Sequence, residues 1–399
     1  METAQDKEIP LVQESSDNVT LPTLFASFLR LGVTAFGGPA MVAYIRNVAV
    51  GKRRWLDPKS FQDGVALCQT IPGATFMQLS AYIGFKVRGI QGAVVSYIGF
   101  GLPAFLLMLA LSIAYAHTHA LPSVISVFDG LQAIIVAVVA NATFTFGKMT
   151  LKSWKNVPII FVAALLFWLK VNPIVIIVLA GLLGMFLHAK QPVPGTVAHS
   201  GKRAKTGTPL LLFLLFAIVG FIVLFLLSDN LFQLAFLMSK IDLFAFGGGF
   251  ASVPLMFHEI VEARSWMDAP TLLNGIALGQ FTPGPIVITA TFVGYMVYGL
   301  VGAIIATIAI FLPSFLILIS VAPWFDRVRS TPWLTRAIGG VLCSFLGLLF
   351  SVTIRFGLNV HWDLPHTALG AAALAALLLK VDLLWVVLAG TAISVFLFW

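Results

Sequence analysis

Charge is scarce in this chain. Asp, Glu, Lys and Arg make up 10% of its 399 residues, against about 25% in an average soluble domain. Hydrophobic types reach 59%, and mean hydropathy is +0.99. That shortfall excludes an ordinary soluble fold and leaves a multi-span membrane protein. Cysteine is scarce too. Cys68 and Cys343 lie in apolar stretches and read as small buried hydrophobes, not as a redox or metal pair. The sequence has no GxxxxGK[ST], HExxH or GxSxG motif, so nothing points to an enzyme or a bound cofactor. His117-Thr118-His119 has no third ligand nearby, and no metal is expected. Residues 1–20 lack a basic start and an apolar run, so insertion is expected to rely on internal segments. The net charge of +8 sits in short loops between apolar segments. This pattern orients a membrane protein and does not suggest nucleic acid.

What the chain does have is a repeat. An offset of about 210 pairs Phe36-Gly37-Gly38 with Phe246-Gly247-Gly248, and Trp55 with Trp266. It pairs "CQTIPGA" from Cys68 with "GQFTPGP" from Gly279, Gly92 with Gly302, and Pro103 with Pro313. Thirteen apolar segments can be drawn: 21–45, 61–85, 90–115, 121–146, 157–169, 172–189, 209–227, 231–257, 271–297, 299–322, 333–355, 365–379 and 381–399. Six belong to each repeat, and 209–227 lies between. An odd connecting segment predicts an inverted repeat, with a substrate site near the midplane between the halves. The expected fold is therefore an all-α polytopic membrane protein. Residues 1–20 would be a polar tail and 21–189 the first repeat. Residues 190–230 would be a basic loop plus linking helix, and 231–399 the second repeat.

Loop charge refines the topology. Loop 46–60 holds five Lys/Arg and one Asp, whereas its counterpart 258–270 holds one Arg and three acids. If every segment spans, the basic loop 46–60 falls outside. If 21–45, 61–85, 231–257 and 271–297 are re-entrant hairpins, it falls inside, and only Lys170, Arg264 and Arg355 remain outside. The positive-inside rule favours the hairpins. Each arm would have about 12 residues, roughly 18 Å of helix, reaching the middle of a ~30 Å core. Both drawings put the N-terminus inside and the C-terminus outside.

The hairpins would turn at four breaks: Gly37-Gly38-Pro39, Pro72-Gly73, Gly247-Gly248-Gly249 and Pro283-Gly284-Pro285. A helix starting in mid-membrane points free N–H groups and a positive dipole end into the site, which suits an anion. The alternative is that Gly and Pro merely allow kinks and close packing. Arg30 and Lys240 each stand six residues before the Phe of the glycine break. Cations at bilayer depth are functional candidates by default, and two of them suit a dianion. The competing reading has each snorkel or pair with an acid, Asp242 for Lys240. Gln69 and Gln280 precede the Pro-Gly breaks and are candidates to donate to oxyanion oxygens or to bond between helices. Gln78 and Ser80 are weaker candidates. Asp242, Asp129 and Asp63 are candidates for a coupled proton; pairing with a cation is the alternative.

The stretches "FLRLGVTAFGGPA", "RRWLD", "ALCQTIPGA" and "FGLPAFLL", with "FGGGFASVPLM", "ALGQFTPGP" and "FLPSFLILI" in the second half, resemble the chromate ion transporter family in its long two-domain form. The likeness covers about residues 21–399. It implies an inner-membrane exporter of chromate, driven by the proton-motive force and conferring chromate resistance. Two departures stand at the expected site. The family often has a histidine shortly after FGGP, where this chain reads "AMVAY", and Ala74 replaces the second proline of PGP. Sulfate or another oxyanion, or an uncoupled anion channel, therefore stays open. The partners expected are the oxyanion, protons and the bilayer, with a homodimer left open.

Overall fold

The computed structural model describes residues 19–34, 36, 40–151, 153–187, 207–325 and 331–398. The tail before Val19, Gly37, Gly38, Pro39 and the basic loop 188–206 lie outside the described residues. Among the described residues the regular structure is helical: α1 Leu21–Thr34, α2 Ala40–Arg46, α3 Pro58–Thr70, α4 Thr75–Thr118, α5 Pro122–Thr150, α6 Asn156–Trp168 and α7 Pro173–Leu187 form the first half. The single helix α8, Gly207–Leu227, follows. The second half comprises α9 Asp229–Phe244, α10 Ser252–Met256, α11 Ala269–Gln280, α12 Thr289–Val321, α13 Pro332–Asn359, α14 Leu364–Leu378 and α15 Leu383–Phe398.

The two halves repeat each other down to single dihedral angles. α2 runs into a π-helical turn, Asn47–Lys52, and α10 into another, Phe257–Ala263. Arg54 and Ser265 then both take φ 52°. Asp57 caps α3, its carboxylate accepting the Lys59 and Ser60 N–H groups, and Asp268 caps α11, accepting the Thr271 N–H. The long helices α4 and α12 break at Arg88-Gly89 and Tyr298-Gly299 with identical angles, φ 62° and ψ −150° at the glycine. That conformation is open to glycine at little cost.

These kinks divide the long helices where the sequence ends one apolar segment and begins the next. The arm of α4 before the kink, Thr75–Val87, and helix α3 are each about 20 Å long at 1.5 Å per residue. Helix α11 is shorter still. All fall short of the ~30 Å hydrocarbon core. Among the described residues four helices are long and apolar enough to cross it: Thr75–Thr118, Val124–Thr150, Ile286–Trp324 and Pro332–Asn359.

Packing between the halves is reciprocal. α1 lies along α4 and α9 along α12, while α4 and α12 pack on each other. The C-terminal hairpins are exchanged: α6 and α7 pack on α13, and α14 and α15 pack on α5. Small residues make this possible. Gly184 of α7 meets Gly340 of α13 so closely that a Cβ on either would strike the other backbone. Each half thus completes its core with helices of the other.

Candidate functional site

The breaks gather where the halves meet. The Gly73 N–H donates to the Ala245 carbonyl just before the second-half glycine run, at 2.9 Å. Gly248, at φ 102°, faces Thr75, the first residue of α4. Gly249 packs on Ile286, where the chain enters α12. Phe36 lies beside Gln280, Thr282 and Gly284, with Leu383, around a cavity of about 20 Å³. That space holds about one water.

The Pro-Gly breaks cross over in the same reciprocal way as the hairpins. Gly73, at φ +107°, seats against Ser314 of α12, and a Cβ there would collide with the Ser314 side chain. Gly284, at φ +142°, seats against Ala104 of α4, 2.9 Å from where its own Cβ would be. Ser314 and Ala104 each follow the proline inside their long helix, Pro313 and Pro103. A proline has no N–H for the carbonyl four residues back. In α12 that carbonyl, Ala309, is met instead by the Ser239 hydroxyl of α9 at 3.1 Å.

Asp242 lies at the centre of this contact. It is fully buried, and its Oδ2 accepts the Ser314 N–H at 2.7 Å. Its Oδ1 has no hydrogen-bond partner and lies beside Gly73, 2.9 Å from where a Cβ would stand. Gln78 is equally buried. Its amide donates to the Pro72 carbonyl, while its Oε1 has no partner. Two buried unpaired oxygens therefore flank the Pro72-Gly73 break, although buried polar groups are as a rule satisfied. In the first half Gly32 takes the place of Asp242, so the acid occurs once.

The other expected site residues are dispersed. Arg30 is exposed on α1 and has no ion pair among the described residues. Lys240 is paired, but with Glu259 at 2.6 Å and not with Asp242. Two residues apart on a helix, Lys240 and Asp242 face different ways. Gln69 is exposed, whereas Gln280 is buried and donates to its own helix at Ile276. Pro72 and Pro283 are buried, and Gly247 is half-buried against Phe146 and Leu342. Asp129 is exposed on α5, and Asp63 is half-buried on α3. Gly37 and Gly38 lie outside the described residues.

Sequence reasoning missed an ion network on the second half. Glu259, 3% exposed, bridges Lys240 and Arg264. Glu262 holds Arg355 and His258. Arg355 also donates to the Phe167 and Trp168 carbonyls at the end of α6, at 2.7 and 2.9 Å, tying the network to the first half. The legible signal was the pair of acids in "HEIVEAR", whose counterpart in the first repeat has none.

A family model described as Chromate transporter matches residues 22–185 and again residues 232–395. The chain is 43% identical to an uncharacterized transporter of Methanocaldococcus jannaschii, over 94% of each sequence. It is 32% identical to a chromate transport protein of Cupriavidus metallidurans, over 90% of this chain and 88% of that one. A probable chromate transport protein of Synechococcus elongatus is 31% identical over 89% of each. No solved structure matches the chain.

Proposed function

This chain belongs to the chromate transporter family, and on that premise we propose that it is a secondary transporter exporting chromate across the inner membrane. Proton-motive force drives export, which confers chromate resistance. The observation that carries the reading is the meeting of helix breaks from both halves around Gly73, Gly248 and Gly284. Irregular backbone at membrane depth is tolerated only where protein buries it or a cavity reaches it. Helices starting at such breaks present N–H groups to an anion.

In this reading the halves are inverted relative to each other, with α8 as the odd connecting span. The reciprocal packing of α6–α7 and α14–α15 is what a two-fold relation requires. The first 20 residues are cytoplasmic and the C-terminus is outside. Substrate enters when the break region opens, by movement of one bundle against the other. Arg30, with the Pro72-Gly73 and Pro283-Gly284 breaks, contributes to the anion path. Lys240 acts through its ion pair with Glu259. Of the three acids, Asp242 is the coupled proton carrier, because it alone is fully buried with an oxygen unpartnered. Protonation of that oxygen loosens or tightens the seat of Gly73.

Chromate uptake into inside-out vesicles, with and without a proton gradient and with excess sulfate, tests the proposal. Gradient-dependent accumulation is expected. Uptake that only follows its own gradient would make the protein a channel. Full inhibition by sulfate would show that the two oxyanions compete for one site, the alternative that Ala74 in place of the family's second proline leaves open. No protein-dependent uptake would remove chromate altogether.

A further inference from the structure

In the second half, one carboxylate shows how a cation pair on this fold holds an oxyanion. Glu259 places one oxygen 2.6 Å from Lys240 Nζ and the other on the Arg264 guanidinium. Lys240 comes from α9 and Arg264 from the end of the π-helical turn. The first half keeps the equivalent cation positions. Arg30 on α1 is the equivalent of Lys240, and Arg53 at the end of the first π-helical turn is the equivalent of Arg264. The position of Glu259 is taken by Val48.

The backbone match across this region is close. Trp55 N–H donates to Ala49 O at 2.7 Å, and Trp266 N–H to Ile260 O at 2.9 Å. The residue after each Arg has φ 52°. Phe28, one half-turn before Arg30, stacks on Trp55 with centroids 6.1 Å apart, which holds α1 against the chain just past Arg53. At the equivalent positions the first half therefore keeps both cations and lacks the acid.

Arg30 and Arg53 are exposed, and neither makes an ion pair among the described residues. Arg46, Lys52 and Arg54 are exposed on the same stretch. Asp57 is the one acid between residues 46 and 60. Its carboxylate is committed to the start of α3, accepting the N–H groups of Lys59 and Ser60 at 3.0 and 2.9 Å and the Ser60 hydroxyl at 2.6 Å. Guanidinium groups bind tetrahedral oxyanions through charge-assisted hydrogen bonds.

We propose that Arg30 and Arg53 form an anion-binding site at the first-half mouth, vacant of the internal carboxylate that fills its second-half counterpart, and that it takes a tetrahedral dianion. This rests on the oxyanion-transport reading and deepens it. The site captures substrate before the breaks open, and the halves differ because capture is needed on one face only.

The test is to supply the missing acid. Val48→Glu recreates the second-half arrangement on a backbone that already accepts glutamate at the equivalent position, and Val48→Gln is its uncharged control. Radiolabelled sulfate, redox-inert, is the probe, with the full chain in nanodiscs of zwitterionic lipid. Thermal melting of each variant confirms folding. Val48→Glu is expected to weaken sulfate binding about tenfold or more, while Val48→Gln stays within about twofold of wild type. Equal affinity in Val48→Glu and wild type would overturn the site and leave the transport reading standing. No sulfate or chromate binding by wild type, with no flux in vesicles, would overturn both. If the cation pair instead anchors a lipid phosphate, wild type binds no sulfate in zwitterionic nanodiscs yet retains anionic lipid more strongly than Val48→Glu. That result overturns the substrate role.

Discussion

The hydroxyls of Thr143 and Thr353 lie 3.0 Å apart, and the two residues hold the same place in the two repeats. A residue touches its own equivalent only where it lies next to the axis relating the halves. The α5–α13 contact therefore marks that axis, and the exchanged hairpins and crossed Pro-Gly breaks are arranged around it.

Cysteines at Thr143 and Thr353 should cross-link on mild oxidation, because the hydroxyls they replace are already within reach of one another. Cys68 and Cys343 would first be changed to Ala. If the bundles rock about this axis, the cross-linked protein keeps most of its chromate flux. Loss of flux that returns on reduction would show that α5 and α13 separate during transport.

Arg30→Ala should cut chromate flux at least about tenfold, equivalent to ~1.4 kcal/mol, with normal insertion judged by membrane fractionation. Arg30 has no ion pair to lose among the described residues, so its removal leaves no buried charge behind. Normal flux would exclude it from the anion path.

Asp242→Asn keeps an oxygen for the Ser314 N–H but cannot release a proton. Chromate exchange between equal pools should continue. Accumulation driven by a proton gradient should vanish. Unchanged gradient-driven accumulation would remove Asp242 from coupling.

Gly73→Ala places a methyl group into Ser314 at a φ of +107°. The strain is worth about 1–3 kcal/mol, with a further overpacking cost of similar size. Ser314→Gly in the same chain should recover part of the melting temperature, since it relieves the collision and not the backbone strain. No difference between single and double variants would place the two residues apart.

Asp57→Ala should cost ~1 kcal/mol of stability, as for other helix N-caps. The Ser60 hydroxyl, aided by the Ser60 and Lys59 N–H groups and opposed by partial burial, holds the Asp57 carboxyl below its ordinary value. Its contribution is thus complete above the ordinary carboxylate range near 3.9 and is lost as pH falls through the lowered value. Melting curves of wild type and variant should differ near neutrality and converge in acid.

Much of this architecture was legible in sequence because apolar length and Gly/Pro punctuation report directly on helices. The segment ends at 85 and 90 bracket the kink at Arg88-Gly89, and those at 297 and 299 bracket Tyr298-Gly299. Side-chain partners were less legible. The acid for Lys240 is Glu259, nineteen residues away across a turn, and no local pattern joins the two. Gln69 and Gln280 match in sequence, yet one is exposed and the other buried, because the halves differ in what covers them. The exchange of hairpins left no sequence signal, since apolar helices carry no label for their partner.

That exchange also sets the order in which the molecule can be made. Helices α6 and α7 leave the ribosome well before α13, the surface that covers them. At roughly 5–20 residues per second, the chain from Leu187 to Pro332 takes about seven to thirty seconds to synthesise. For that interval the Gly184 face of α7 has only lipid or a chaperone to meet. The nascent first half is therefore an unfinished object, and a ribosome that stalls before Pro332 releases a fragment for quality control.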